Sequence, residues 1–213
     1  MTRWERDGEF LPGWYEDVSA TDLDRERHWQ RWAPEIGVPR RLVGASLLAE
    51  PRSDALARVD AYMKGPDFRA GRCLILAGPT GVGKSFAAVA ALRELCRPSG
   101  HFYAGRLLFC HVPKLCDALF DFNKRQNTLD KAKRTRFVVL DDLGAEYVKE
   151  GGLSDASLEA IIWEREAEIL PTIITTNLTA EGLKARLSER LIDRLRGDWG
   201  CIYECPGPSW RLA

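Results

Sequence analysis

An aliphatic run opens into bare backbone at Leu76-Ala77-Gly78-Pro79-Thr80-Gly81-Val82-Gly83-Lys84-Ser85, and few short stretches restrict a fold so tightly. Glycine has no Cβ, so successive N–H groups can turn toward one point without side-chain clashes. A helix starting directly afterwards adds the positive end of its dipole. The spacing Gly-x-x-x-x-Gly-Lys-Ser therefore predicts a phosphate cradle built from Gly78, Pro79, Thr80, Gly81, Val82, Gly83, Lys84 and Ser85. In such a cradle Lys84 reaches the terminal phosphates and Ser85 holds magnesium. A flexible loop with an incidental lysine is the alternative, and the flanks argue against it. Arg72 through Ala77 reads as a short buried strand, while Ser85 through Leu92 carries helix-forming alanines with helical apolar spacing.

The remainder alternates in the same way. Strands are expected near 106–112, 136–142, 171–177 and 201–205, with a helix after Pro113, a long one after Ser154 and two short ones across 180–196. Five strands joined by helical crossovers predict an α/β fold, a three-layer sandwich around a five-stranded parallel sheet. Ahead of them Ser53 caps a helix whose Leu56, Val59 and Met63 share one face, and Gly65 ends it. Residues 1–37 differ: Trp4, Trp14, Tyr15, Trp29 and Trp32 sit among many charges, and Thr21 caps a short helix that stops before Pro34. These aromatics either pack on the main core or form an arm that docks a partner. We divide the chain into that arm, 1–37, and a main domain, 38–213.

Among the 213 residues, 45% are hydrophobic, enough for one good core. The 31 basic and 31 acidic residues balance, so any nucleic-acid contact must come from a local patch or from several assembled copies. Six cysteines show no Cys-x-x-Cys spacing, and Cys201-x-x-x-Cys205 has no second pair, which favours buried thiols over zinc. No apolar stretch has the length of a membrane span and the N-terminus has no apolar signal core, so a cytoplasmic protein without membrane contact is expected.

Three later segments put polar groups where strands or helices end. Phe137 through Leu140 is a buried run closed by Asp141 and Asp142, and in a parallel sheet the strand C-termini open onto the ligand crevice. There Asp141 would serve the magnesium shell and Asp142 would polarise an attacking water, although strand ends also carry acids as caps. Asn177 closes the strand containing Thr175 and Thr176, where an amide can hold the water and sense the γ-phosphate, or simply form a turn. Arg190 and Arg194 lie four apart on one helical face. They would stabilise phosphoryl transfer, even from a neighbouring subunit, or pair with the adjacent Glu189 and Asp193.

Taken in order, "LAGPTGVGKS", "FVVLDDLGAE", "PTIITTNLT" and "LSERLIDRLRG" resemble the DnaC/IstB-like AAA+ ATPases over about residues 38–212. That family includes replicative-helicase loaders and ATPase helpers of insertion-sequence transposition. The resemblance implies a P-loop NTPase that binds ATP and Mg2+, with Asp141 and Asp142 as the Walker B pair and Asn177 as the sensor-1 residue. It makes Arg194 the arginine finger, acting in trans within a ring or spiral, and Arg190 a nearby sensing arginine. It also implies a reduced or absent lid, since about seventeen residues follow Arg196. Two features depart from the family: residues 1–72 contain no cysteine for a zinc domain, and "WEREAE" around Arg165 lacks the tyrosine often found there.

The leading expectation is an ATPase that loads a replicative helicase onto single-stranded DNA as a homo-oligomer. A transposition helper that binds duplex DNA and recruits a transposase is the alternative with the same chemistry. A non-catalytic, ATP-dependent assembly scaffold is the alternative of another class, and a small-molecule kinase needs none of the Asp-Asp, Asn and Arg series. The best local DNA candidate is the basic run with Lys124, Arg125, Lys131, Lys133, Arg134 and Arg136 beside Phe120 and Phe122.

Overall fold

Continuous apolar runs such as Cys73–Ala77 have no polar face, so they are stable only with both sides of the sheet covered. The computed structural model describes residues 5–6, 9–10, 22–50, 52–96, 106–145 and 153–210. Strands β1 (Glu5–Arg6) and β2 (Glu9–Phe10) pair antiparallel in a small sheet of their own. The main sheet consists of β3 (Cys73–Ala77), β4 (Leu107–His111), β5 (Phe137–Leu143), β6 (Thr172–Thr176) and β7 (Gly200–Glu204). Its order is β4-β5-β6-β3-β7, with every neighbouring pair parallel.

Side chains alternate across a strand, and here each face meets its own helices. Leu74 and Leu76 join Leu56 and Val59 of α2 (Asp54–Lys64) and the alanines of α4 (Lys84–Leu95). Cys73 and Ile75 face the opposite layer, with Leu158, Ile161 and Ile162 of α7 (Leu153–Ala167) and Leu191 and Leu195 of α9 (Glu189–Arg196). The expected three-layer α/β architecture is therefore present. Ser53 caps α2 by accepting the Leu56 N–H at 3.2 Å, as read from the sequence. The short α3 (Pro66–Arg69) and α8 (Ala180–Arg186) complete the connections to β3 and α9.

Between β4 and β5 the chain makes two helices where a helix and linker were expected, α5 (Val112–Phe120) and α6 (Phe122–Arg134). The break lies at Asp121, whose carboxylate accepts the Asn123 N–H at 3.0 Å and starts the second helix.

Helix α1 (Asp22–Trp32) packs on the main core. Trp29 is 1% exposed and its indole N–H donates to the Val43 carbonyl at 2.7 Å, while Trp32 is partly covered against the same cluster. Arg93 of α4 pairs with Glu26 at 2.5 Å and donates to the Ala45 carbonyl at 3.0 Å. The turn after α1 then runs against the sheet edge, where the Phe109 N–H donates to the Ile36 carbonyl at 2.7 Å. Gly37 permits that approach: its φ is 93°, and a Cβ there would lie 2.5 Å from the Phe109 oxygen. Packing is thus continuous across residue 37. The cap expected at Thr21, and Trp4, Trp14 and Tyr15, lie outside the described residues.

Arg165 is fully buried at the N-terminal end of the strands, opposite the end that carries the glycine loop. Its guanidinium donates to the Ala132 and Thr135 carbonyls at 3.0 and 2.7 Å, to Pro171 at 2.9 Å, and to the Thr172 hydroxyl at 2.8 Å. The first two acceptors end α6, so the cation occupies the negative pole of that helix while tying α7 to the start of β6. Burial pushes the guanidinium down to about 10, still protonated at neutral pH. Replacing Arg165 by Leu leaves buried carbonyls without donors and is expected to cost about 3 kcal/mol in urea unfolding. Lysine recovers only part of that loss, because it lacks the planar fork. A Leu variant within about 0.5 kcal/mol of the parent would refute the assignment.

Candidate phosphate-binding and catalytic site

Sheet order sets the place of the site. The chain leaves β3 for the far edge strand β4 and works back through β5 and β6, so β3 and β6 are neighbours whose outgoing connections diverge. Crevices in open α/β sheets form at such a point, at the C-terminal strand ends. The predicted phosphate loop follows β3, and Asn177 follows β6.

The loop needs its glycines. Gly78, Gly81 and Gly83 have φ of 137°, 90° and 92°, in the region that favours glycine. Close packing adds a second requirement, because a Cβ on Gly78 would come within 2.6 Å of the Cys205 oxygen. Helix α4 then begins at Lys84, which is 5% exposed. Its ammonium donates to the Gly78 and Pro79 carbonyls, both at 2.7 Å, and to the Asn177 side-chain oxygen at 3.0 Å.

The two aspartates are brought to one point by an irregularity. In a regular strand Asp141 and Asp142 would face opposite sides of the sheet. The β5–β6 register instead slips between Leu140 and Leu143, and Asp142 has φ of 61°. The Thr175 hydroxyl secures the bend: it accepts the Asp142 N–H at 3.0 Å and donates to the Asp141 carboxylate at 2.8 Å. Asp141 is 1% exposed, and the Ser85 hydroxyl is among the groups that favour its charged form. Burial raises its pKa, and the neighbouring Asp142 charge adds to the rise against the opposing Ser85 and Thr175 hydrogen bonds. Asn177 spans the crevice, receiving Lys84 on its oxygen and donating its amide to Asp142 at 3.2 Å.

Sequence reading missed His111. It ends β4 opposite Asp141, and its Nε2 lies 3.4 Å from the second Asp142 carboxylate oxygen. One atom each from His111, Asp141 and Asp142 lies within 4.8 Å of the others. The available signal was a polar residue closing a second aliphatic strand, but only the sheet order reveals that this strand adjoins β5.

Lys84, Ser85, Asp141, Asp142 and Asn177 therefore converge, and the arginines of α9 do not join them through their visible partners. Arg194 is held by an ion pair to Glu166 of α7, and Arg190 is exposed. Of the basic run, Arg125 donates to the Leu119 carbonyl at 2.8 Å. Arg136 is pushed down to about 10 by burial and by Arg106. The side chains of Phe122 and Lys124 lie outside the described residues.

The model of the IstB-like ATP binding proteins matches residues 54–211, a span that contains every element of this crevice. The chain belongs to that family. Among solved structures, a DnaC helicase loader aligns at TM-score 0.65 and 24% identity, over 79% of this chain and all of that one. DnaI aligns at TM-score 0.64 and 26% identity, over 81% of this chain and 94% of that one. A replication initiator DnaA bound to AMPPCP and single-stranded DNA shares the fold at TM-score 0.61 and 17% identity, covering 77% and 50% of the two chains. None of the curated proteins matches. The IstB-like chain is thus an AAA+-type ATP-binding domain of DnaC/IstB kind, and among its described residues no helix is long and apolar enough to cross a membrane.

A carboxyl whose folded pKa is raised opposes folding as pH climbs past its unfolded value, because the folded state holds the proton more tightly. In the IstB-like chain without nucleotide, Asp141→Asn is therefore expected to raise the melting temperature at neutral pH by about 2–4 °C. The asparagine keeps an oxygen for Thr175. Calorimetry at pH 7 showing a lower melting temperature would contradict the cost assigned to this buried charge.

Proposed function

We propose that this protein hydrolyses ATP and uses the cycle to load a replicative helicase onto single-stranded DNA. The observation that carries the reading is the Asn177 carboxamide, which touches Lys84 on one side and Asp142 on the other. Phosphates entering the cradle would draw Lys84 away from the loop carbonyls, and Asn177 would report that movement to Asp142. Asp142 then accepts hydrogen bonding from the attacking water, while the Gly78–Ser85 loop binds the phosphate oxygens.

Magnesium fits the donors present, since the Ser85 hydroxyl is near enough to favour the charged Asp141 carboxylate and both are hard oxygen ligands. The ion would neutralise charge between the outer phosphates. Arg194 completes the site from a neighbouring subunit of a ring or spiral after leaving Glu166, and Arg190 assists on the same face. Residues 1–37 grip the helicase, with exposed Leu23 of α1 available to it, and Lys131, Lys133 and Arg134 at the end of α6 meet the DNA backbone. This role belongs in the cytoplasm. A transposition helper acting on duplex DNA with a transposase is the second reading, favoured by the family model that the chain matches. In a non-catalytic scaffold the same crevice would bind ATP and fix assembly without turnover.

Mixing subunits tests the catalytic part. Lys84→Ala alone should lose ATP binding and Arg194→Ala alone should bind ATP normally, with turnover in each lowered at least about 100-fold. A mixture should regain measurable hydrolysis, because one subunit supplies the cradle and the other the arginine. Absence of recovery, or loss of ATP affinity in Arg194→Ala, would remove the arginine in trans. Loading is tested separately, by helicase transfer to circular single-stranded DNA with Lys131, Lys133 and Arg134 changed to glutamine. Unchanged loading and an unchanged salt slope would exclude α6 as the DNA surface.

A further inference from the structure

The phosphate loop is not held by its own residues alone. After β7 the chain continues alongside the end of β3 and the loop that follows it, running in the same direction. The Cys205 N–H donates to the Ala77 carbonyl at 2.7 Å, and the Trp210 N–H donates to the Gly81 carbonyl at 2.9 Å. Ser209 packs on the loop so closely that a Cβ on Gly81 would fall 2.0 Å from its hydroxyl oxygen. Cys205 is 2% exposed and Trp210 42% exposed, and the hydrogen bond to the loop comes from the Trp210 backbone.

A trans peptide is planar, and its C=O and N–H point in opposite directions. Fixing the Gly81 carbonyl toward Trp210 therefore aims the next amide, Val82 N–H, away from the strap and toward the inside of the loop. Gly81 has φ of 90° and little intrinsic preference between backbone states, so without an external partner this peptide would be free to rotate. We propose that residues 205–210 are a strap that presets the phosphate-binding amides, with the Trp210 backbone N–H as the positioning group. This rests on the reading of Gly78–Ser85 as the phosphate cradle. Preorganised donors bind and stabilise charge better than donors that must first reorient, which gives the strap an effect on affinity. The coupling is reciprocal, so bound phosphate must also tighten the strap.

Proline at 210 removes both the N–H and the indole, whereas alanine removes the indole alone, so the difference between the two variants isolates the N–H. Full-length Trp210→Pro and Trp210→Ala are compared by titration with ATP, ADP and inorganic tripolyphosphate. Trp210→Pro is expected to weaken all three about tenfold, while Trp210→Ala stays within about twofold. Trp210→Pro binding like the parent would overturn the proposal. So would equal losses in the two variants confined to ATP and ADP, which would make the indole a base contact.

If the proline variant fails to fold, hydrogen exchange of the Trp210 amide in the parent protein decides. Exchange slowed by ADP supports the strap, and exchange indifferent to ADP overturns it. Lys84→Ala is the control for the underlying reading: unchanged tripolyphosphate binding there would mean that the cradle itself is misassigned, whatever the strap does.

Discussion

Parallel strands cannot be joined by hairpins, so each must be followed by a crossover, and all five strand ends emerge along one edge. In the order β4-β5-β6-β3-β7 this places the phosphate loop after β3 beside Asn177 after β6, with Asp141 and His111 on the next two strands. Residues separated by long stretches of chain become neighbours without any of them being selected for contact with another. The helices on both faces make this arrangement rigid, because the strands are apolar on each side and both layers must stay in place.

Within that frame the charged groups are managed by neutral partners. Lys84 is satisfied by two carbonyls and an amide, Asp141 by the Thr175 hydroxyl, and Arg165 by carbonyls and the Thr172 hydroxyl. Such partners hold a charge without cancelling it, so Lys84 and Asp141 remain able to meet an anion and a cation. The raised pKa of Asp141 records the cost, which an arriving metal ion would offset. Arg165 uses the same device for architecture, at the end of α6 and far along the sheet from the crevice.

Several residues of the candidate site were legible because their spacing and position carry chemical meaning: the glycine loop, the paired aspartates and the asparagine each follow or end an aliphatic strand. How the aspartates share one crevice was not legible, since regular alternation would separate them and the slip after Leu140 depends on Thr175 of another strand. His111 looked like one polar residue among many until β4 was placed next to β5. The pairing of Arg194 with Glu166 joins two helices whose packing angle no local pattern encodes. For Trp29 both readings of the aromatic segment were open, and burial against Val43 places this one in the core.

Local chemistry alone determined the glycine turn after β3, the strand and helix alternation and the α/β class, because glycine conformation, apolar periodicity and strand-end polarity act over a few residues. Only tertiary structure decided which strand ends are adjacent, how Asp142 turns, and what braces the loop from outside through Ser209 and Trp210. Those outcomes depend on hydrogen bonds between segments far apart in the chain, and such bonds exist only after the whole sheet has closed.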